Sequence, residues 1–421
     1  MATATYSTTT SNSDLNELWK KVQIGVVEAF GFGVPEWNWV ENLKNFKVDW
    51  SPREITMELD LDDDINVASI PEGGLEARPA SPVAVTATLT WILLNARFTI
   101  SKTAKFIDQQ QGTRPALVSQ LKWQSKKKVQ AIRRLIGDYF YGKSSGVIGH
   151  LTANETGTKG LVLDNMYGVT SLGGTTANRR VVDLARPSEF YVIAQSDGTY
   201  REHVQASTIT RSTNTINTAA NMSTTADGDL LVRGHSLENT SITGSDYNAG
   251  LVGILDMMDT ASVHSFSSAT NARWDAAITN TDGGRFTGVK LRKLKQAINN
   301  EGGGTMDTVV WTQGVENDVF SQLQAGLRFS DSFGMEMDGS PKSKGVKFMT
   351  TKRVPDGYAF GWDSKRSIGK GTLLPLDGSQ AFSDGKEAID SSQLIFTLDY
   401  PCFLATKSRA NMGYYSSLQQ A

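Results

Sequence analysis

The longest regular pattern of apolar residues in this chain lies between residues 114 and 141. Apolar side chains recur there at three- and four-residue spacings, as on one face of a helix: Val118, Leu121, Val129, Ile132, Ile136 and Tyr139. Basic side chains fall on roughly the opposite face: Lys122, Lys126, Arg133 and Arg134. Pro115 suits a first helical turn and Gly142 a helix stop. The pattern predicts a helix from Arg114 to Tyr141, about 42 Å long at 1.5 Å per residue.

Before this helix, the polar and apolar positions predict a long β-hairpin. Residues 55–61 alternate as a half-exposed strand does, and residues 83–100 are rich in β-branched and aromatic residues. The segment between them is polar, with three prolines and a Gly-Gly pair. A two-stranded hairpin is marginal alone, so we expect it to lie on another surface, such as that of a neighbouring chain. Further upstream, residues 14–30 have the apolar stripe of a helix.

After the long helix, the pattern changes twice. Residues 147–180 are rich in turns, and residues 181–233 contain short strand signals that predict a small antiparallel, barrel-like insertion. From Tyr247 onward, helical and strand patterns alternate, and residues 343–363 read as strand, turn and strand. The chain closes with two strands that we expect to be broken at Pro401 and to return to the sheet beneath the long helix. The fold class predicted is α+β.

Composition excludes several classes of protein. The net charge of −2 argues against a protein that coats nucleic acid by bulk electrostatics. No run approaches 18 apolar residues, so no membrane span is expected, and the N-terminus lacks the pattern of a secretory signal. Cys402, the single cysteine, lies in an apolar run and is interpreted as a small buried hydrophobe. With no disulfide possible within the chain, we expect assembly in the cytoplasm.

Two sequence motifs resemble ligand sites, and both fail on context. Residues 137–144 match the P-loop pattern GxxxxGK[ST], with Lys143 as its lysine. The match falls at the end of a predicted helix, where the dipole presents its negative pole to a phosphate. Residues 60–71 resemble a calcium loop, but Ile65 and Pro71 occupy the glycine and glutamate positions. A P-loop ATPase therefore stays only a competing hypothesis.

No catalytic, metal or cofactor site can be nominated from the remaining residues. The four histidines lie far apart in sequence, without the spacing of metal ligands, and no catalytic triad is legible. We therefore expect no enzymatic activity and no cofactor. Three interpretations of the basic helix face stay open: a solvated face, salt bridges to a neighbouring subunit, or contact with DNA. The acidic hairpin segment is either solvated or in charged contact with a neighbour.

The order of these parts resembles the major capsid protein of tailed double-stranded-DNA bacteriophages, whose fold is shared with encapsulins and the herpesvirus capsid floor. The resemblance covers nearly the whole chain, and the segments Ala226–Gly234 and Thr350–Asp363 also look like capsid-protein segments. It implies an N-terminal arm (1–49), a hairpin called the E-loop (50–107) and a P-domain (108–180) with a spine helix (114–141). A β-rich insertion (181–233), an A-domain (245–390) and closing P-domain strands (391–421) would follow.

The resemblance also implies a function. Copies would form pentamers and hexamers of an icosahedral head around double-stranded DNA, contacted non-specifically. The encapsulin alternative is a shell around a cargo enzyme. The implied partners are the chain itself, scaffolding protein, portal and a decoration protein. The implied location is the virion, after assembly in the host cytoplasm, without a membrane. Charged residues at the E-loop tip would lie at subunit interfaces: Arg53, Asp62, Asp64, Glu72, Glu76 and Arg78.

One departure from some family members concerns covalent locking. In those members, an E-loop lysine forms an isopeptide bond with a neighbouring subunit. No lysine lies between Lys47 and Lys102 here; the hairpin region offers only Arg53, Arg78 and Arg97. A guanidinium stays protonated and cannot act as the nucleophile. The sequence therefore predicts a shell held by non-covalent contacts.

Overall fold

The structure is a computed structural model and describes about three fifths of the chain. The described residues are 41–42, 48–50, 55–59, 85–89, 91–101, 115–142, 146–164, 166–168, 189–196, 198–210, 213–233, 251–259, 262–269, 274–280, 282–326, 334–335, 341–343, 345–372, 386–387 and 393–419. Contacts divide the chain into two compact units. Unit 1 comprises Met1–Trp39, Trp91–Asp138 and Lys370–Phe403, and unit 2 comprises Val40–Thr90, Tyr139–Gly369 and Leu404–Ala421.

The described elements are mixed α and β, which confirms the predicted α+β class. The helices are α1 (Pro115–Tyr141), α2 (Ile254–Asp259), α3 (Gly288–Gly302) and α4 (Gln313–Gly326). The first strands are β1 (Glu41–Asn42), β2 (Val48–Trp50), β3 (Ile55–Leu59), β4 (Val85–Leu89), β5 (Ile92–Ser101), β6 (Val147–Leu151), β7 (Gly160–Asp164), β8 (Glu189–Ile193), β9 (Tyr200–Thr210), β10 (Thr215–Thr218) and β11 (Leu230–Arg233). The later strands are β12 (Ser262–Val263), β13 (Phe266–Ser267), β14 (Ile278–Asn280), β15 (Thr308–Trp311), β16 (Gly334–Met335), β17 (Pro341–Lys342), β18 (Lys347–Thr350), β19 (Ala359–Trp362), β20 (Ile368–Thr372), β21 (Lys386–Glu387), β22 (Gln393–Thr406) and β23 (Met412–Tyr415).

The predicted long helix is confirmed as α1, with 27 residues. Its apolar stripe is buried at Val129, Ile132 and Ile136, as the spacing predicted. Phe140 and Tyr141 are also fully buried at the C-terminal end. The helix stops at Gly142, whose amide donates to the Tyr139 carbonyl over 3.1 Å.

The predicted hairpin is confirmed at its root. In unit 2, β3 and β4 pair antiparallel from Ile55↔Leu89 to Leu59↔Val85, and β2 pairs with the outer side of β3. One face of this root is buried within the chain itself: Ile55, Met57, Leu59, Ala87 and Leu89 are at most 2% exposed. The root therefore lies on another surface, as expected, and for this face that surface belongs to the same chain. Contact of the hairpin with a neighbouring chain stays a prediction. Residues 60–84, its tip, lie outside the described residues.

In unit 1, β5 and β22 form a long antiparallel ribbon. Their pairing runs from Ser101↔Gln393 to Ile92↔Cys402, and the Phe98 and Phe396 rings stack at 5.4 Å. The predicted break at Pro401 is wrong, because β22 continues through this residue, which pairs with Leu93. A proline removes one N–H donor, which takes at most one ladder bond from a 14-residue strand.

The predicted barrel-like region is confirmed as a closed six-stranded barrel. The strand order is β10-β7-β6-β11-β8-β9, closed by pairing between β9 and β10. It begins at Val147, so the barrel includes β6 and β7 in addition to strands within the predicted segment 181–233. Burial alternates along β7 and β10, where Leu161, Leu163 and Ile216 are fully buried. In β6 and β8 consecutive residues are buried, so both faces of these strands are covered.

The second core of unit 2 is a five-stranded sheet with order β14-β23-β19-β15-β18. The strand-turn-strand segment does not form a hairpin, because β15 lies between β18 and β19, parallel to the first and antiparallel to the second. Helices α3 and α4 supply Leu291, Leu294, Ile298, Val315 and Val319 to the core beside this sheet. β23 also belongs to this sheet, so the closing segment 391–421 is divided between two sheets.

Unit 2 also buries a charged side chain. Arg409 is 1% exposed and donates to three backbone carbonyls: Nε to Met257 over 2.6 Å, and its terminal nitrogens to Trp274 over 3.0 Å and Met258 over 3.2 Å. Burial lowers the pKa of Arg409, while the nearby acidic residues Asp275, Asp256 and Asp259 act in the opposite direction. The guanidinium thereby ties α2 to the segment before β14.

Candidate assembly surface

The exposed face of α1 combines an aromatic ring with cations. Trp123 is 61% exposed, and Lys126 and Lys127 beside it are also exposed. The Lys127 ammonium lies 5.9 Å from the centre of the Trp123 ring, within range of a cation–π contact. A tryptophan exposed on a helix that buries its aliphatic stripe is a candidate contact residue. The helical spacing in the sequence did not identify Trp123 as a contact residue. The available signal was its position, because it lies outside the apolar stripe and beside the lysines.

The predicted basic face is not uniform. Lys126 lies in solvent, whereas Arg133 and Arg134 are half-buried. The Arg133 Nε atom is buried without a hydrogen-bond partner among the described residues, and burial lowers the pKa of this side chain. The side chain of Lys122 lies outside the described residues. The exposed part of the face is thus centred on Trp123, Lys126 and Lys127.

The charged side chains of α1 are all basic along most of its length. Between Pro115 and Gly137 the sequence has six Lys and Arg residues and no Asp or Glu. Residues 60–84, between β3 and β4, have six acidic residues and one arginine. The two segments are therefore electrostatically complementary. The predicted interface residues Arg53, Asp62, Asp64, Glu72, Glu76 and Arg78 all lie outside the described residues, so their placement stays a prediction.

A second exposed apolar surface lies on β5. Trp91 is 44% and Leu93 53% exposed, and they share a strand face with Asn95, Arg97 and Thr99. The opposite face carries buried Ile92, Leu94 and Phe98. Among the described strands, β5 pairs only with β22, so it is an edge strand. An exposed edge strand with large apolar side chains is a site for contact with another chain.

Two kinds of reactive group can be assessed among the described residues: clusters of metal ligands and the single cysteine. No group of three or more His, Cys, Asp or Glu residues that could hold a metal ion occurs among them. Cys402 is fully buried, as predicted, and burial raises the pKa of its thiol, which disfavours the thiolate needed for reactivity. Burial lowers the pKa of His150, which favours its neutral form. Within the described residues, no helix is long and apolar enough to cross a membrane.

The P-loop match has the wrong geometry for phosphate binding. Residues 137–141 form the last helical residues of α1, and Gly142 turns back to the Tyr139 carbonyl. A phosphate would meet the carbonyl end of the helix instead of free amides. Lys143 and Ser144 lie outside the described residues, as does the segment 60–71 that resembles a calcium loop.

Comparison with known proteins finds similarity at the level of structure only. No protein-family model matches the sequence, and no curated protein matches it. A chain of the cyanophage A-1(L) capsid asymmetric unit matches with a TM-score of 0.49 and 10% identity, over 99% of this chain and 95% of that chain. A capsid chain of an empty GTA particle matches with a TM-score of 0.44 and 10% identity, over 90% and 96%. An encapsulin from Synechococcus elongatus matches with a TM-score of 0.29 and 13% identity, over 40% and 56%.

Proposed function

We propose that this chain is the major capsid protein of a tailed double-stranded-DNA phage, a structural protein without catalysis. The observation that carries the proposal is the order of elements along the chain: a β-hairpin, a 27-residue helix, a β-barrel and then a sheet-and-helix core. The sequence resemblance assigns this order to the capsid fold. These elements and the exposed surfaces on α1 and β5 support the proposal.

The exposed apolar residues support self-association. Trp91, Leu93 and Trp123 all belong to unit 1, and burying one such side chain contributes about 1.5–3 kcal/mol. A few residues of this kind per interface give modest affinity, which closed symmetry multiplies over many copies. In the proposed head, copies form pentamers and hexamers, and the segments keep the roles of arm, E-loop, P-domain, A-domain and β-insertion.

The charge pattern supports a specific contact between copies. We propose that the acidic hairpin tip of one copy, with Asp62, Asp64, Glu72 and Glu76, lies over the basic α1 face of a second copy. The tip has 25 residues, so each arm of about 12 residues reaches about 40 Å at 3.3 Å per residue. That reach exceeds the length of the basic segment 122–134, about 18 Å at 1.5 Å per residue. The alternative role of this face, non-specific contact with packaged DNA, is an outcome of the test.

Electron microscopy of the purified protein tests assembly. We expect closed shells, formed with scaffolding protein if the chain does not assemble alone, and later joined by portal and decoration proteins in the virion. Shells that retain double-stranded DNA support the phage head, whereas a copurifying enzyme supports the encapsulin alternative. A protein that stays monomeric in every assembly condition, with scaffold supplied, contradicts the proposal.

Charge reversal tests the contact between copies. Lys126→Glu with Lys127→Glu should lower the assembly yield, and adding Asp62→Lys with Asp64→Lys should restore much of it. Lys352→Glu, at an exposed position of unit 2, is the matched control and should leave the yield unchanged. Normal assembly of the α1 variant with loss of DNA retention would assign the face to DNA instead.

A further inference from the structure

The turn between β12 and β13 has a backbone conformation that is unfavourable for its residues. Both turn residues, His264 and Ser265, have positive φ, 55° and 61°. The flanking strands pair Ser262 with Ser267 and Val263 with Phe266, so the turn has two residues. Turns with positive φ at both positions strongly favour Asn, Asp and Gly. This turn is therefore strained and depends on contacts elsewhere in unit 2.

Those contacts join the hairpin root to the end of β22. The His264 carbonyl accepts a hydrogen bond from the Thr88 amide of β4 over 3.1 Å. The His264 Nε2 atom accepts one from the Thr406 amide over 3.1 Å. Next to the turn, the Phe266 ring packs edge-on against Trp274 at 5.6 Å. One strained residue thus holds two otherwise separate strands.

The imidazole itself carries a second unfavourable feature. His264 is 4% exposed, and burial together with the charge of Arg409 lowers its pKa to about 4, so the ring is neutral near pH 7. Because Nε2 accepts a hydrogen bond, the proton of the neutral ring is assigned to Nδ1. Nδ1 is buried and has no partner among the described residues. A buried donor without an acceptor destabilises the closed turn further.

We propose that the His264–Ser265 turn is a latch that holds the root of the β3–β4 hairpin and opens when the hairpin is displaced. Opening breaks the bond from Thr88 and lets Nδ1 reach water. It also lets both turn residues leave positive φ, so relief of strain offsets part of the cost of moving the hairpin. The latch would regulate the hairpin that the proposed function uses, but it exists in a single subunit and can be measured there.

Hydrogen exchange on the unassembled full-length protein tests the latch, with mass spectrometry of peptides covering β4. Ser265→Gly removes strain and leaves both hydrogen bonds in place, so β4 should exchange about fivefold more slowly. His264→Phe keeps a ring but removes the acceptor for Thr406, so β4 should exchange about tenfold faster. Peptides covering α3 serve as the internal control and should be unchanged in both variants.

The two variants act in opposite directions, which separates a latch from a merely structural turn. Unchanged β4 exchange in Ser265→Gly would overturn the proposal, as would equal acceleration of β4 and α3 in His264→Phe. If His264→Phe does not fold, the Ser265→Gly result alone decides. Shell formation is a separate observation, so failure of the latch and failure of the proposed function are distinguishable.

Discussion

Replacing Arg409 with methionine should produce a large loss of stability in unit 2. Methionine keeps much of the apolar volume but removes all three hydrogen bonds to the carbonyls of Met257, Met258 and Trp274. Each of these residues is at most 2% exposed, so water cannot replace the missing donors without disrupting the core. The acidic residues around the guanidinium also lose their cation.

The expected magnitude follows from the number and kind of interactions that the substitution removes. Breaking a buried, hydrogen-bonded charge network typically costs about 3–5 kcal/mol. The buried methionine side chain recovers a part of this lost free energy through its apolar surface. We therefore expect a net loss of about 3–4 kcal/mol in the free energy of unfolding. That is a large fraction of the about 5–15 kcal/mol of a typical domain. Arg409→Lys should lose less, since one ammonium can still satisfy one of the carbonyls.

Urea unfolding of the unassembled protein measures this loss. The fully buried tryptophans Trp274, Trp311 and Trp362 belong to unit 2 and report its transition by fluorescence. Arg366→Met is the matched control, because Arg366 is exposed and makes a 2.8 Å bond to a single carbonyl, that of Gly303. We expect the control to change stability by at most about 0.5 kcal/mol. Equal losses of unfolding free energy in Arg366→Met and Arg409→Met would refute the argument that the three buried hydrogen bonds of Arg409 stabilise unit 2.

Three further predictions concern other parts of the chain. The pKa of His264, lowered to about 4 by burial and by Arg409, lies below the ordinary 6.5, so the unfolded chain binds the proton more strongly. The free energy of unfolding should therefore fall by up to about 3 kcal/mol between pH 6.5 and pH 4, and it should not depend on this group above pH 7. Thermal unfolding measured over a series of pH values tests this. If His264→Phe shows the same dependence of stability on pH as the unchanged protein, the prediction is contradicted. Gly253→Ala places a methyl group 2.3 Å from the Gly142 carbonyl oxygen and should cost at least about 1–3 kcal/mol, measured by urea unfolding; an unchanged midpoint contradicts the close approach. Particles boiled in detergent should run as one band near 45.8 kDa, whereas a ladder of larger bands would reveal covalent links between subunits.

The elements set by local pattern could be predicted from the sequence. The helix α1 follows from the spacing of Val129, Ile132 and Ile136. The helix α3 ends at a run of three glycines, which is a common helix stop, with Gly303 in the left-handed conformation at φ 61°. The strand β15 reads as a short apolar run and is fully buried. In each case, the deciding interactions lie within a few residues of one another, so periodicity and capping are sufficient evidence.

Pairings between distant segments could not be predicted in the same way. Nothing local in residues 343–363 indicates that β15 inserts between β18 and β19, because that order depends on a strand about 40 residues upstream. The latch at His264 is equally non-local, since Thr88 and Thr406 lie far from it in sequence. No local signal marks the turn either, because His264 and Ser265 occupy positions where asparagine or glycine would have indicated a two-residue turn.

Exposure of tryptophan was the least predictable feature and carries the most weight for assembly. Tryptophan is a residue type usually found in the core, so the sequence gives no reason to expect Trp91 and Trp123 at the surface. Their exposure is seen only in the structure, where they lie on the exposed faces of β5 and α1. Leaving such surface in water is unfavourable for a lone subunit, so its burial would contribute favourable free energy to the proposed assembly. Because the hairpin has no lysine, we expect non-covalent contacts to hold the proposed shell together, and these side chains and the complementary charges are candidates for them. A subunit added in the wrong place would gain little and dissociate, whereas one bonded to several neighbours at once would stay.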